Sequence, residues 1–426
     1  MKVINLIIRN FRAIDNLSLD LSRSRNTVLV GINGSGKSSV LDCIAIMLAE
    51  LLDWLPDFPP GNRGLEAADV KDPATECVIE IVVEHGGQTQ SAGLRATRRG
   101  PGRPIEIDRE GQGDCLLRLF ADLDDIDRRS AVRVPIAVYY PVNRAVVEVP
   151  VDSPPSLGLE QLSAFEGALG GARVDFEGFF RWFRNREDIE NEERITDSSH
   201  RDREIDAVRR AIEKMVPGFS NPRVRRAPPR MVVTKRDEEN GEATELQISQ
   251  LSDGEKCLIA MVGDIARRLA MANPGLEDPL LGDGVMLIDQ IELHLHPAWQ
   301  RVIVPALERT FANCQFIVTT HSPQVLSQVR PEAIYLLERT PQGIAAYRPT
   351  SSYGRDSNRI LEELMGVSER PEEIQRDLKD YFRFIDEGNM SEAAKLREKL
   401  EKDIGADDPE FARADVLIRR REIIGK

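Results

Sequence analysis

Residues 27–38 read Thr-Val-Leu-Val-Gly-Ile-Asn-Gly-Ser-Gly-Lys-Ser: a short apolar, β-branched run, a glycine-rich loop, and the start of an apolar stretch of helical character that continues to Leu52. Gly31 to Ser38 fits G-x-x-x-x-G-K-[ST] at every fixed position, with the strand before it and the helix after it that the pattern requires. Glycines let the backbone curl until several N–H groups face one anion, and the helix N-terminus adds the positive end of its dipole. The candidate phosphate-binding residues are therefore Asn33, Gly34, Ser35, Gly36, Lys37, Ser38 and Ser39. Lys37 would reach the β- and γ-phosphates, and Ser38 would offer its hydroxyl to Mg²⁺.

Working outward, three downstream segments complete a pattern. Leu251-Ser252-Asp253-Gly254-Glu255-Lys256 opens a helix. Met286-Leu287-Ile288-Asp289-Gln290 is an apolar strand ending in Asp, the usual second support for Mg²⁺ beside a phosphate loop. Thr319-Thr320-His321-Ser322-Pro323 closes another apolar strand, and three of the five histidines, His294, His296 and His321, lie in this region.

GINGSGKSS, LSDGEK, LIDQIELHLHP and TTHSP resemble the Walker A, signature, Walker B with D-loop, and H-loop elements of ATP-binding cassette (ABC) ATPases. IRNFRAIDNLSLDL resembles the opening strands of the SMC, Rad50 and RecF branch, and the 215 residues from Lys37 to Ser252 match that branch rather than transporters. With YYPVNRAV and the tail from Gly366 to Lys426, the whole chain resembles the small RecF-like ATPases of bacterial phage defence, the Septu ATPases, which also occur in some retrons and work with a separate HNH nuclease.

The resemblance implies an α/β fold: an ABC-type ATPase head, with a P-loop core and an antiparallel N-terminal β-subdomain, a helical insertion and a helical C-terminal tail. The expected division is 1–150 for the N-terminal lobe, 151–222 for the insertion, 223–350 for the C-terminal lobe and 351–426 for the tail. It further implies ATP and Mg²⁺, a homodimer closing over two composite ATP sites or a larger assembly of such dimers, and an HNH-type nuclease subunit as partner. Ser252, Gly254 and Glu255 would then act on ATP held by the other chain. Arg12 would reach the phosphates in cis, His321 would contact the γ-phosphate, and Ser38 and Asp289 would hold the metal. Asp253 stands where transporters have Gly. No glutamine fits a Q-loop, and Asn143 falls in that region.

One position departs from the family. Where a glutamate that polarises the attacking water is expected after Asp289, this chain has Gln290. Gln is nearly isosteric and can orient a water, but a neutral amide cannot take a proton. Gln290 and His321 are the candidate catalytic residues, and slow hydrolysis is the expectation. An introduced substitution that traps ATP is the favoured reading, with natural loss of hydrolysis or another base as alternatives. Glu292 would share a strand face with residue 290, but about 6 to 7 Å away on an extended chain, too far to substitute without rearrangement.

Composition sets the outer limits. The chain has 426 residues, a net charge of −14, 41 % hydrophobic and 30 % charged residues, which excludes collagen-like and wholly disordered readings. No apolar run approaches the roughly 20 residues that span a bilayer, so no membrane role is expected, and a cytoplasmic location is. Cys43, Cys77, Cys115, Cys257 and Cys314 are odd in number and scattered, so reduced buried thiols are expected. Net acidity disfavours coating of nucleic acid by the whole surface, yet leaves two local clusters for DNA: Arg95, Arg98, Arg99 and Arg103, and Arg223, Arg225, Arg226, Arg230, Lys235 and Arg236. A RecF/Rad50-like DNA-binding ATPase of DNA repair is accordingly the alternative function, and a transporter ATPase is disfavoured.

Weaker signals have bland readings. His294 and His296 beside Glu292 could suggest zinc, but no fourth ligand is evident. Asp122, Asp124, Asp125 and Asp127 read as a solvated turn. Phe176, Phe179, Phe180, Trp182 and Phe183 read as core or partner surface within a helical stretch from Val174 to Met215. The 103 residues after Pro323 hold no D-x-D pair for a nuclease. Further expectations are a turn at Asp15-Asn16, strands at Cys77 to Glu84 and Met231 to Thr234, one helix from Pro297 to Thr310, and a tail helix with Leu378, Tyr381, Phe382 and Ile385 on one face.

Overall fold

In the computed structural model, which describes residues 1–53, 63–99, 104–111, 133–144, 161–170, 176–237 and 241–424, the N-terminal alternation folds as a hairpin of β1 (Lys2–Phe11) and β2 (Ile14–Asp20). Its turn lies at Arg12-Ala13 rather than at Asp15-Asn16, which pair within β2 (Arg9 stands opposite Asn16). Arg12 takes φ 48° there, held by its N–H on the Asp69 carbonyl and its side chain on Asp69 and Asp42. Tertiary anchoring of an arginine thus overrides a local turn signal.

Next come β3 (Thr27–Val30), α1 (Lys37–Leu52), β4 (Glu76–His85), β5 (Gln88–Arg98) and β6 (Ile105–Glu110). An antiparallel sheet runs β2-β1-β4-β5-β6. Beyond β7 (Ile136–Tyr140) come α2 (Phe176–Thr196), α3 (Arg203–Met215) and three strands, β8 (Phe219–Arg226), β9 (Pro229–Arg236) and β10 (Ala243–Gln247), in a second antiparallel sheet. Sequence patterning reveals only the middle of these three. Pro222 masks β8, and it is tolerated because the register with β9 shifts between Ser220 and Arg223.

The signature segment leads into α4 (Asp253–Ala272), followed by β11 (Gly284–Ile288), α5 (Pro297–Gln300), α6 (Ile303–Thr310), β12 (Cys314–Thr320), β13 (Ile334–Thr340) and β14 (Gly343–Tyr347). The expected single helix from Pro297 to Thr310 is therefore two. Pro305 has no N–H to donate to Arg301, and a restart at Ile303 places it in a first turn, where that loss costs nothing.

The central sheet runs β14-β13-β3-β12-β11-β7, parallel except for β14. Every residue of β3, β7, β11 and β12 is buried, as strands covered on both faces require. The topology sets out the site: the phosphate loop, Thr319-Thr320-His321, Asp289 and Pro141 to Arg144 leave the carboxyl ends of four parallel neighbours.

α4 is fixed under this sheet by a buried charge cluster. Asp264 accepts from Tyr140 Oη (2.9 Å), Arg267 Nη2 (2.6 Å) and Arg268 Nε (2.8 Å). Burial pushes its carboxyl up, but Arg268 and Arg267 outweigh that and hold it below the usual carboxylate range. Phe179, Phe180, Trp182 and Phe183 are buried core, with Phe179 lying against Gly263 of α4.

The chain divides into two compact units, Met1–Ser357 and Asn358–Lys426. The second has its own apolar core, in which Leu378, Tyr381 and Ile385 of α7 (Glu372–Glu387) meet Ala393 and Leu400 of α8 (Met390–Ile404) and Phe411 and Ala414 of α9 (Pro409–Ile424). Phe382, expected on the same face, packs there only partly buried. No described helix is long and apolar enough to cross a membrane. Asp264→Ala takes the shared carboxylate from two buried guanidinium groups and a tyrosine hydroxyl, although Arg268 keeps the Ala164 and Glu166 carbonyls. It is expected to cost about 3–5 kcal/mol, read as a lower urea midpoint of the full-length chain.

Candidate nucleotide-binding site

The glycine loop delivers α1 with its N-terminus free of any side-chain cap and with no acidic residue in the first turn, so its leading N–H groups and dipole are left for an anion. Gly36, the cap residue, has φ 90°, and a Cβ there would stand 2.8 Å from Ile344 Cδ1. Asn33, Gly34 and Ser38 are exposed, while Ser35 and Lys37 are buried. Lys37 Nζ lies back on the loop, donating to the carbonyls of Gly31 (2.8 Å) and Ile32 (2.9 Å). Burial lowers its pKa, against the opposing charges of Asp289 and Glu292. Ser35 Oγ is buried without a partner among the described residues. This donor set of curled backbone, helix N-terminus, ammonium and hydroxyl fits a nucleoside triphosphate. Ser38 and Asp289 are hard oxygen donors suited to Mg²⁺, which would neutralise phosphate charge.

β11 stops at Ile288, and the chain then turns. Asp289 donates its N–H to the Tyr140 carbonyl (2.9 Å), and its carboxylate accepts from Thr319 Oγ1. Gln290 adopts φ 50°, its N–H reaching Thr319 Oγ1 (2.7 Å), and Ile291 N–H donates to the Thr319 carbonyl (3.0 Å). The chain at 289–294 is a turn and not the extended strand that the spacing expected for Glu292 assumed. The Glu292 carboxylate lands on the same strand end, accepting from Thr320 Oγ1 (2.7 Å) and from the His321 N–H (2.7 Å). His321 is half-buried. Burial and then Lys37 lower its pKa, opposed by Glu292 and Asp289, which favours the neutral imidazole at neutral pH.

Sequence reasoning missed Arg144. Nearly fully buried, it donates to the carbonyls of both Asp289 and Gln290 and to that of Pro141 (3.2 Å), while its own carbonyl accepts the Cys257 thiol of α4 (3.4 Å). An arginine just past an apolar strand is a faint signal for such a role, and nothing in its spacing names carbonyls as its targets. Neighbouring Asn143 is exposed.

Ser252 caps α4 in a reciprocal box with Glu255: Ser252 N–H donates to Glu255 Oε2 (2.8 Å), and Ser252 Oγ accepts from the Glu255 N–H (3.4 Å). Lys235 of β9, another residue that sequence reasoning did not place here, holds Glu255 at 2.7 Å. Ser252 is exposed, whereas Gly254 is buried so tightly that a Cβ would stand 2.2 Å from the His294 carbonyl oxygen. The signature turn and the D-loop therefore touch within one chain. Arg12 pairs with Asp69 (2.9 Å) and Asp42 (2.5 Å), bracing α1 against the β1–β2 turn.

Most of the remaining candidates are accounted for locally. His296 Nδ1 accepts from the Ala298 N–H, and no group of three or more His, Cys, Asp or Glu among the described residues could hold a metal. Arg95 pairs with Glu76, Arg98 with Asp72, Arg99 with Glu106, Arg223 and Arg225 with Glu245, and Arg226 with Glu187 and Asp188. Cys43, Cys77, Cys257 and Cys314 are free and buried. Cys115, Arg103 and the Asp122 to Asp127 run lie outside the described residues.

A phosphate loop, a strand-end aspartate, a capped helix opening at Ser252 and a strand-end histidine around one mostly parallel sheet define an ABC-type ATPase head. A family model described as "AAA ATPase domain" matches residues 1–86, and one described as "AAA domain, putative AbiEii toxin, Type IV TA system" matches residues 158–327. Among curated proteins, the "Retron Vc95 probable ATPase" of Vibrio cholerae is 30 % identical, covering 90 % of this chain and 83 % of that protein. The "Retron Ec83 probable ATPase" of Escherichia coli is 29 % identical, covering 99 % of this chain and 87 % of that one. The chain belongs to the family of these retron ATPases. It is also 26 % identical to the Septu protein PtuA of Bacillus mycoides, over 78 % of this chain and 40 % of that protein. Among solved structures, the SMC head domain from Thermotoga maritima aligns at TM-score 0.41 and 18 % identity, covering 82 % of this chain and 99 % of that one.

Gly254→Ala forces the D-loop carbonyl aside and is expected to cost about 1–3 kcal/mol by overpacking, visible in the thermal midpoint. Folded His321 binds its proton less readily than the unfolded chain, so stability falls as pH drops through the ordinary imidazole value of 6.5. Lys37→Ala removes one of the charges that lower this pKa, so NMR titration of the His321 imidazole is expected to show a higher pKa in that variant.

Proposed function

We propose that this chain is a nucleotide-gated regulatory ATPase of an anti-phage defence system, acting with a separate HNH-type nuclease. The single observation that supports it most is the gathering of the phosphate loop, Asp289 and His321 at the carboxyl ends of the central strands, with a glutamine at position 290, in a chain related to retron and Septu proteins. ATP would lie along Asn33 to Ser39, with Lys37 on its phosphates and Mg²⁺ held by Ser38 and Asp289. His321 would face the γ-phosphate, and Arg12 would approach the phosphates from the β1–β2 turn. Ser252, exposed at the tip of α4, together with Gly254 and Glu255, would meet the nucleotide of a second copy. The working unit is then a homodimer with two composite sites, or a larger assembly of it, in the cytoplasm. ATP binding closes the dimer and sets the state of the nuclease.

Gln290 makes this a gate that closes readily and reopens slowly. An amide can orient the attacking water without accepting its proton. The second reading, a DNA-repair ATPase that grips DNA through its arginine clusters, has less support, because the described arginines of both clusters are largely engaged by carboxylates of the same chain. Steady-state ATP turnover of this chain is expected to lie at least about tenfold below that of Gln290→Glu; equal rates would sink the slow-gate reading.

A further inference from the structure

The glutamine at residue 290 leaves open which group receives the proton when the chain does hydrolyse ATP. Four side chains lie in the segments that leave β11 and β12, where the γ-phosphate would be read. Asp289 is occupied by Thr319 Oγ1 and by its role toward the metal. His321 is half-buried, and a proton taken there would set a second positive charge beside the Lys37 ammonium. Gln290 has no basic site. Glu292 is the remaining carboxylate, and the left-handed turn at Gln290 brings it there.

Its placement is set by two donors on consecutive residues. Thr320 Oγ1 and the His321 N–H each take one carboxylate oxygen at 2.7 Å, which fixes the orientation of the group and leaves each oxygen a further lone pair. The anchor is next to the phosphate loop: Thr320 pairs with Val30 in the parallel β12–β3 register, and Val30 immediately precedes Gly31. Thr319, which holds Asp289, pairs with Leu29 one step back. The Glu292 charge also acts on the Lys37 ammonium and on the His321 imidazole, so it shares their field rather than facing away from them.

We propose that Glu292 supplies the carboxylate that accepts the proton of the water attacking the γ-phosphate. This rests on the ATPase reading above. In the step, the water oxygen bonds to the γ-phosphorus and the bond from that phosphorus to the β,γ-bridging oxygen breaks. The leaving ADP takes the electron pair, and the water proton passes to a Glu292 oxygen. Gln290 helps to orient the water but receives nothing. Two neutral or held neighbours and one fixed carboxylate thus replace the usual single glutamate, at a rate below what a base at position 290 would give.

The test compares the full-length chain with Glu292→Gln, Glu292→Asp, Gln290→Glu and the double variant Gln290→Glu/Glu292→Gln, measuring ATP turnover across pH and the binding of a fluorescent ATP analogue. Glu292→Gln is expected to lower kcat by about 100-fold or more, with analogue affinity changed by less than about threefold, and to remove the acid limb of the kcat profile. Glu292→Asp is expected to retain part of the rate, and the double variant to regain turnover through the new carboxylate at 290. Unchanged kcat in Glu292→Gln overturns the assignment. So does a loss that comes with weakened nucleotide binding and persists in the double variant, since Glu292 would then only brace His321. No turnover above buffer in the unaltered chain overturns it as well. Absence of nucleotide binding by the unaltered chain strikes the ATPase reading itself, and so is told apart from failure of this assignment.

Discussion

The site depends on one short stretch of hydrogen bonding, the attachment of the turn after β11 to the end of β12. Thr319 alone serves Asp289, the Gln290 N–H and the Ile291 N–H, and Thr320 with His321 takes Glu292. A parallel sheet brings those strand ends side by side, but parallel pairing says nothing about the segments beyond them. The threonine hydroxyls convert adjacency into a fixed constellation. A valine at either position would keep the strand and its burial while removing the hydroxyl that the turn uses, and an unpaired buried polar group there would cost free energy as well as geometry.

Around that attachment the chain builds rigidity from the opposite side. Arg144 reaches from the end of β7 and takes the two carbonyls that the left-handed turn at Gln290 turns outward, while its own carbonyl receives the Cys257 thiol from α4. α4 is in turn locked by Asp264 between Tyr140 and two arginines. β7, the turn and the signature helix therefore form one connected network.

Much of this is legible in the sequence because it rests on short-range pattern. The strand, glycine loop and helix at 27–52, the apolar runs of β11 and β12, and the helix that opens at Ser252 follow from residue type and local spacing. The features that escape depend on distance in space. The Asp15-Asn16 turn signal loses to Arg12 because Asp42 and Asp69 come from elsewhere in the chain. Pro222 and Pro305 hide a bulged strand and a helix restart whose tolerance only the register reveals. Glu292 is misplaced by an extended-strand reading because a residue with positive φ reverses the chain there. Arg144 escapes because its partners are backbone carbonyls, which no side-chain pattern records.

The contact between Gly254 and the His294 carbonyl admits not even a methyl group, so the signature turn and the D-loop have no independent coordinate at that point. In thermodynamic terms they are linked variables. Whatever displaces one at that point displaces the other, and by reciprocity a ligand that prefers one position of either segment biases the position of its neighbour by the same coupling free energy. A single missing β-carbon thus makes one mechanical unit of two segments that the sequence keeps apart.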